Sequence, residues 1–148
     1  MRFILFLFFL LTFVPMKAQS DSLNIKTVFS EMPDSILPYL TRNNRLDMID
    51  FMEAKMKAGV DNLLDGDSEM LFLSHDSLAV WMSDVLIMEM KINQSDSSII
   101  LKRTYHISGS MEEIILQRFS LQWHKNSEVT VVSSLLIRDD KIAPEYQF

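Results

Sequence analysis

No cysteine occurs anywhere in the chain, which excludes disulfide bridges, thiolate nucleophiles and thiolate metal sites and leaves packing to supply the stability. Glycine is nearly as scarce. With three in the whole sequence, there is no glycine-rich loop to cradle a phosphate and no G-x-S-x-G elbow to present a serine nucleophile. Basic clusters are missing as well: the densest is Lys102-Arg103, far short of the patch that a nucleic-acid backbone demands, so nucleic acid is not an expected partner. His75, His106 and His124 fall in separate segments without H-x-x-x-H or H-E-x-x-H spacing, and no zinc site can be read from them.

What is present begins with the leader. Arg2 precedes an unbroken apolar run from Phe3 to Leu11, which continues through Phe13 and Val14 to Met16-Lys17-Ala18-Gln19. A basic start, an apolar core of about a dozen residues and a small residue at the cleavage point describe an export signal, shorter than the roughly 20 residues that span a bilayer. The expectation is a signal peptide over residues 1–18, cleaved between Ala18 and Gln19, and a mature domain over 19–148 in the periplasm or cell envelope, or secreted. An uncleaved anchor is the alternative, which Ala18 and the short core disfavour. Removing 1–18 takes away Arg2 and Lys17 and no acid, so the mature chain keeps 20 acidic residues and a formal charge of −8. That balance serves solubility and leaves no stable insertion in a membrane after cleavage.

Apolar periodicity divides the mature chain in two. Ile25, Val28, Phe29 and Met32 recur at helical spacing, with Asp21 or Ser22 as cap and Pro33 as stop. Pro33-Asp34-Ser35 then starts a turn of helix through Ile36 and Leu37. A second helix is expected on the stripe Met48, Ile49, Met52 and Met56, capped by Asn43 or Asn44, supported by a Glu53–Lys57 pair and closed by Gly59 as its left-handed exit. From Glu69 the period becomes 2. Leu78, Val80 and Met82 alternate, and so do Leu86, Met88, Met90 and Ile92 against Glu89 and Lys91. Ile99, Leu101, Tyr105 and Ile107 follow, and then Ile115, Gln117, Phe119, Leu121 and Trp123. Ser110 and Glu113 also resemble a helix capping box, but the alternation favours strand. A last strand over Val129 to Ile137 completes an antiparallel meander, since short turns cannot make parallel crossovers. The fold class expected is α+β, N-terminal helices packed on an antiparallel β-sheet meander.

The one ligand-like constellation is Asp61 to Glu69. As a calcium loop it fails, with Leu63 and Phe72 at positions that need oxygen ligands. Asp65, Asp67 and Glu69 remain weak metal candidates in what reads as a solvated turn, and no cofactor is expected. Glu112-Glu113 and Asp139-Asp140 are adjacent pairs, which a strand sends to opposite faces. Trp81, Trp123, Tyr39 and Tyr105 could stack on sugars, although aromatics along strands commonly belong to the core. Nine methionines beyond the leader read as core packing.

The run from Val28 to Phe51, together with Met56-Lys57-Ala58, Asp65 to Met70, Arg103-Thr104-Tyr105 and Leu121-Gln122-Trp123, resembles an exported Bacteroides-group family known only as a domain of unknown function (DUF3256). The resemblance covers roughly residues 19–124. It implies no activity and no catalytic residues to carry over. Members extend well beyond the counterpart of Trp123, whereas this chain stops at Phe148, so a truncated C-terminal half is an alternative and closure of the sheet is open. The functional expectation is a non-enzymatic binding or envelope-associated module with an envelope protein or a glycan as partner. The alternative is an extracytoplasmic hydrolase whose acids meet only in the fold.

Overall fold

The computed structural model describes residues 23–108 and 111–134. The leader, its cleavage point, the expected caps Asp21 and Ser22, Asp139-Asp140 and residues 135–137 of the expected last strand lie outside the described residues. Two helices, α1 (Ile25–Ser30) and α2 (Arg42–Glu53), precede seven strands: β1 (Ala58–Asp61), β2 (Asp67–Leu73), β3 (Ser77–Ser83), β4 (Leu86–Asn93), β5 (Ser98–Ser108), β6 (Met111–Phe119) and β7 (Lys125–Ser134). The strands form one antiparallel sheet in the order β1-β2-β3-β4-β5-β6-β7, each paired with its sequence neighbour. This is the α+β meander that the periodicity implies.

The start of α1 is set by Asn24, whose side chain accepts from the Lys26 amide at 3.0 Å. The stripe is as expected: Ile25, Val28, Phe29 and Met32 are all buried. The cap of α2 is Thr41, not Asn43 or Asn44. Asn44 stands three residues on and completes a capping box with Thr41, so the polar cluster marks the right turn of chain with the roles shifted. The end of α2 also departs from expectation. Lys55, with φ 56°, makes the left-handed exit, and the Met56 amide reaches back to the Phe51 carbonyl while the Lys55 amide reaches that of Met52, a Schellman closure. Gly59 instead lies in β1. Met56 therefore falls off the apolar stripe into solvent, and Glu53 pairs with Lys26 while Lys57 pairs with Glu69.

β1 is a strand that alternation over so few residues does not reveal. Asp65-Gly66 consequently turns between two strands, β1 and β2. The register then fixes the faces. Met70, Leu78, Val80, Met82, Leu86, Met88, Met90, Ile92, Ile99, Leu101 and Phe119 join the residues of α1, α2 and the 32–40 turn in one core, with α1 against β4 and α2 against β1 and β2. β6 is a strand throughout, not a capped helix, but it ends at Phe119. Ser120 accepts from Trp123 and donates to His124 through the backbone, so Leu121 and Trp123 sit in a turn and do not continue the alternation. β7 accordingly begins at Lys125, four residues before Val129.

Candidate functional site

The face of the sheet away from the helices carries Gly59, Asp61, Asp67, Glu69, Trp81, Ile87, Glu89, Lys102, Thr104, Ile114 and Leu116, as the cross-strand partners Gly59↔Glu69↔Trp81↔Ile87↔Thr104↔Ile114 require. Ile100 and Leu116 are buried there, outside the main core. Their direct neighbours Lys91, Arg118 and Lys102 bring long aliphatic stems that cover apolar surface, with the charges of Lys102 and Arg118 held by Glu89 and Asp96, each at 2.6 Å.

Toward β1 the same face opens into a groove of about 560 Å³ lined by Lys57, Gly59, Asp61, Asp67, Glu69 and Trp81. Trp81 is half-buried on its floor, out of phase with the core positions Leu78, Val80 and Met82. Glu69 stands beside it on β2 and meets the Lys57 ammonium at 3.4 Å. Asp61 and Asp67 are direct cross-strand partners, both exposed, and such a like-charged pair costs a little stability. An indole face beside hydrogen-bonding charges can stack on a sugar ring and hold its hydroxyls. Asp65 lies apart from these groups, in the turn, with φ 56°. Among the described residues no three of His, Asp and Glu converge enough to hold a metal ion.

The other candidates are dispersed. His75 lies in the β2–β3 turn, His124 in the β6–β7 turn, and His106 near the far end of β5, where it meets Glu112 at 3.1 Å. Glu112 and Glu113 point to opposite faces. Tyr39, Tyr105 and Trp123 pack against the core cluster, Trp123 with its ring 5.6 Å from that of Phe119. Trp81 alone of the four aromatics stands clear of it.

The most heavily bonded charge is Arg45, 1% exposed. Its guanidinium donates to the carbonyls of Met32 and Leu40 at 2.7 Å, to that of Ser30 at 3.4 Å, and to Asp34 at 3.0 Å. It clamps the turn between the helices onto α2. Arg103 does related work, donating to Ile36 O at 2.8 Å and to Gln117. Burial lowers its pKa while Tyr105, Glu128 and Tyr39 oppose the shift. At the far turn, Asp96 accepts from the Ser98 hydroxyl at 2.6 Å and from Arg118 at 2.6 Å, and the Ser98 hydroxyl bond holds its carboxyl below the usual range. These groups are spent on holding turns in place.

No curated protein matches the chain. A solved structure, described as a domain of an uncharacterized protein from Porphyromonas gingivalis W83, superposes with a TM-score of 0.56 at 20% identity, over 70% of this chain and 53% of its own. The chain thus spans about half of that structure, and at this identity the likeness shows the fold alone. The profile described as Protein of unknown function (DUF3256) matches residues 17–134, and the chain belongs to that family.

Proposed function

We propose that the protein is an exported, non-enzymatic binding module of the cell envelope and that its ligand, a glycan, lies in the Trp81 groove. The observation that carries this reading is the position of Trp81: a large aromatic on the face opposite the two described helices, flanked by Glu69, Asp67, Asp61 and Lys57 in one concavity. Export rests on the leader, whose run from Phe3 to Leu11 has the length and flanks of a cleaved signal. Among the described residues no helix is long and apolar enough to cross a membrane.

A hydrolase reading draws on Asp61 and Asp67, which face each other beside the indole. Acid–base work on a glycosidic bond needs one carboxyl kept protonated by an apolar, desolvated site, and both of these are exposed. The binding reading is therefore preferred.

The test is a titration of the exported protein with soluble envelope oligosaccharides, followed by calorimetry, a readout that survives the loss of Trp81. Saturable binding is expected in the wild type and not in Trp81→Ala, whose thermal unfolding should show the fold intact. Product release that stops in Asp61→Asn would favour the hydrolase. Undiminished binding by Trp81→Ala would remove the groove from consideration. An intact mass beginning at Gln19 is the outcome expected for the exported chain.

A further inference from the structure

The two ends of the sheet differ in kind. At one end are the β2–β3, β4–β5 and β6–β7 connections: Ser74 to Asp76, Gln94 to Ser97, and Ser120 to His124. These connections are polar, and their large apolar side chains, Leu121 and Trp123, pack against the core cluster; the exposed Leu71 and Phe72 precede the first of them, within β2. At the opposite end are the β1–β2, β3–β4 and β5–β6 connections. There the turn residues Leu63, Leu64 and Val85, with Ile107 and Met111 at the adjoining ends of β5 and β6, are each between 46% and 64% exposed. Successive hairpins of a meander stand two strands apart, roughly 10 Å, so these side chains form one row along the rim.

The row is held in place by its own backbone and side-chain bonds. The Asn62 amide nitrogen donates to Ser68 Oγ at 3.1 Å, Asp67 O at 3.2 Å and Met82 O at 3.3 Å, and its oxygen accepts from the Leu64 and Gly66 amides at 2.9 and 3.3 Å. The Leu63 amide donates to Tyr39 O at 2.9 Å, and the His106 amide to Val85 O at 2.9 Å. A turn fixed this firmly keeps two leucines in water, where they forfeit burial energy that a partner could recover. Exposed apolar side chains gathered along one rim mark an interaction surface.

Charge selects the occupant. Segments 61–67, 83–86 and 106–112 carry Asp61, Asp65, Asp67, Asp84 and Glu112 and contain neither Lys nor Arg. His106 faces Glu112, and Arg42, in the first turn of α2, stands on the helix side of the same end. An acidic rim repels an anionic lipid surface and a second copy of itself. It complements a protein surface on which an apolar anchor is ringed by Lys and Arg.

We propose that this end of the sheet docks such a partner protein, through Leu63, Leu64 and Val85 at its centre and Asp65 and Asp84 at its edge. The surface is separate from the Trp81 groove: none of these five residues lines it. Asp61 and Asp67 border both surfaces, so the variants that separate the two readings are confined to these five positions and Trp81.

The test uses the full chain and model peptides of one length in which Leu alternates with Lys, Gln or Glu, or in which Lys alternates with Gln. The Leu–Lys peptide should bind saturably, and the affinity should fall by about tenfold or more in a Leu63→Ser, Leu64→Ser, Val85→Ser variant. It should also fall in Asp65→Asn, Asp84→Asn and on raising salt. All five positions are exposed, so melting temperatures should stay close to that of the wild type, and Trp81→Ala should bind this peptide normally. Equal binding of the Lys–Gln peptide would reduce the effect to diffuse charge and overturn the proposal. So would self-association of the wild type abolished by the triple variant, or binding to neutral lipid vesicles lost in it, since each names a different occupant.

Discussion

At the scale of single residues, the chemistry that looks functional is largely structural. Arg45 is the clearest case. Removing it strands three carbonyls that no water readily reaches, so Arg45→Met should destabilise by about 3–5 kcal/mol. Its carboxylate partner is 71% exposed, and Asp34→Ala should cost less than about 1 kcal/mol. Comparable losses in the two variants, read from denaturant midpoints, would mean that the ion pair rather than the carbonyl clamp holds the turn. Lys55 offers the opposite sign. A side chain at φ 56° bears a left-handed penalty that glycine escapes, so Lys55→Gly should stabilise by about 1 kcal/mol with an unchanged denaturant slope.

At the scale of elements, legibility followed the strength of the repeating pattern. Leu86, Met88, Met90 and Ile92 declare their strand because one face is wholly apolar and the other is not, and the structure buries all four. Met88→Ala should accordingly cost about 2–5 kcal/mol, while Lys91→Gln, on the opposite face, should stay within about 0.5 kcal/mol. Thermal or denaturant unfolding of both would expose a misassigned face by equal losses. β1 was illegible because Ala58, Gly59, Val60 and Asp61 give one alternation and end in a turn-forming pair. Gln122-Trp123-His124 misled in the other direction: it mimics a strand, yet Trp123 takes φ 63° to close a turn, a conformation unexpected of a bulky residue. Trp81, Asp67 and Glu69 were each legible as candidates, but their convergence was hidden for the same reason as β1, since Lys57 and Gly59 reach Trp81 only through that strand's pairing. What set Trp81 apart from the other aromatics was phase, because it occupies the position between Val80 and Met82.

At the scale of the whole molecule, the sheet is continuous but its support is not. The helices cover β1, β2 and β4 directly, and β2 to β5 supply most of the sheet's share of the core. Beyond β5 the supply thins: β6 gives Phe119, and the described side chains of β7, Lys125 to Val129, give none. Backbone pairing with β6 runs from Phe119↔Lys125 to Met111↔Ser134, and over Lys125 to Val129, where the described side chains add nothing to the core, such pairing opens at low cost. The Arg103–Gln117–Glu128 chain of hydrogen bonds ties the three strands together, but it is partly exposed and adds little. Native-state hydrogen exchange should thus separate two units. Amides of β4 at Met88 and Met90 should exchange only through global unfolding, whereas those of β7 should exchange through a smaller opening with a weaker dependence on denaturant. The gradient should survive Trp81→Ala, which leaves the β6–β7 ladder untouched, and steepen in Phe119→Ala, which removes the core contact that anchors β6. Protection in β7 equal to that in β4, with the same denaturant dependence, would show that the seven strands open as one and that the far edge is held by contacts beyond those of β6.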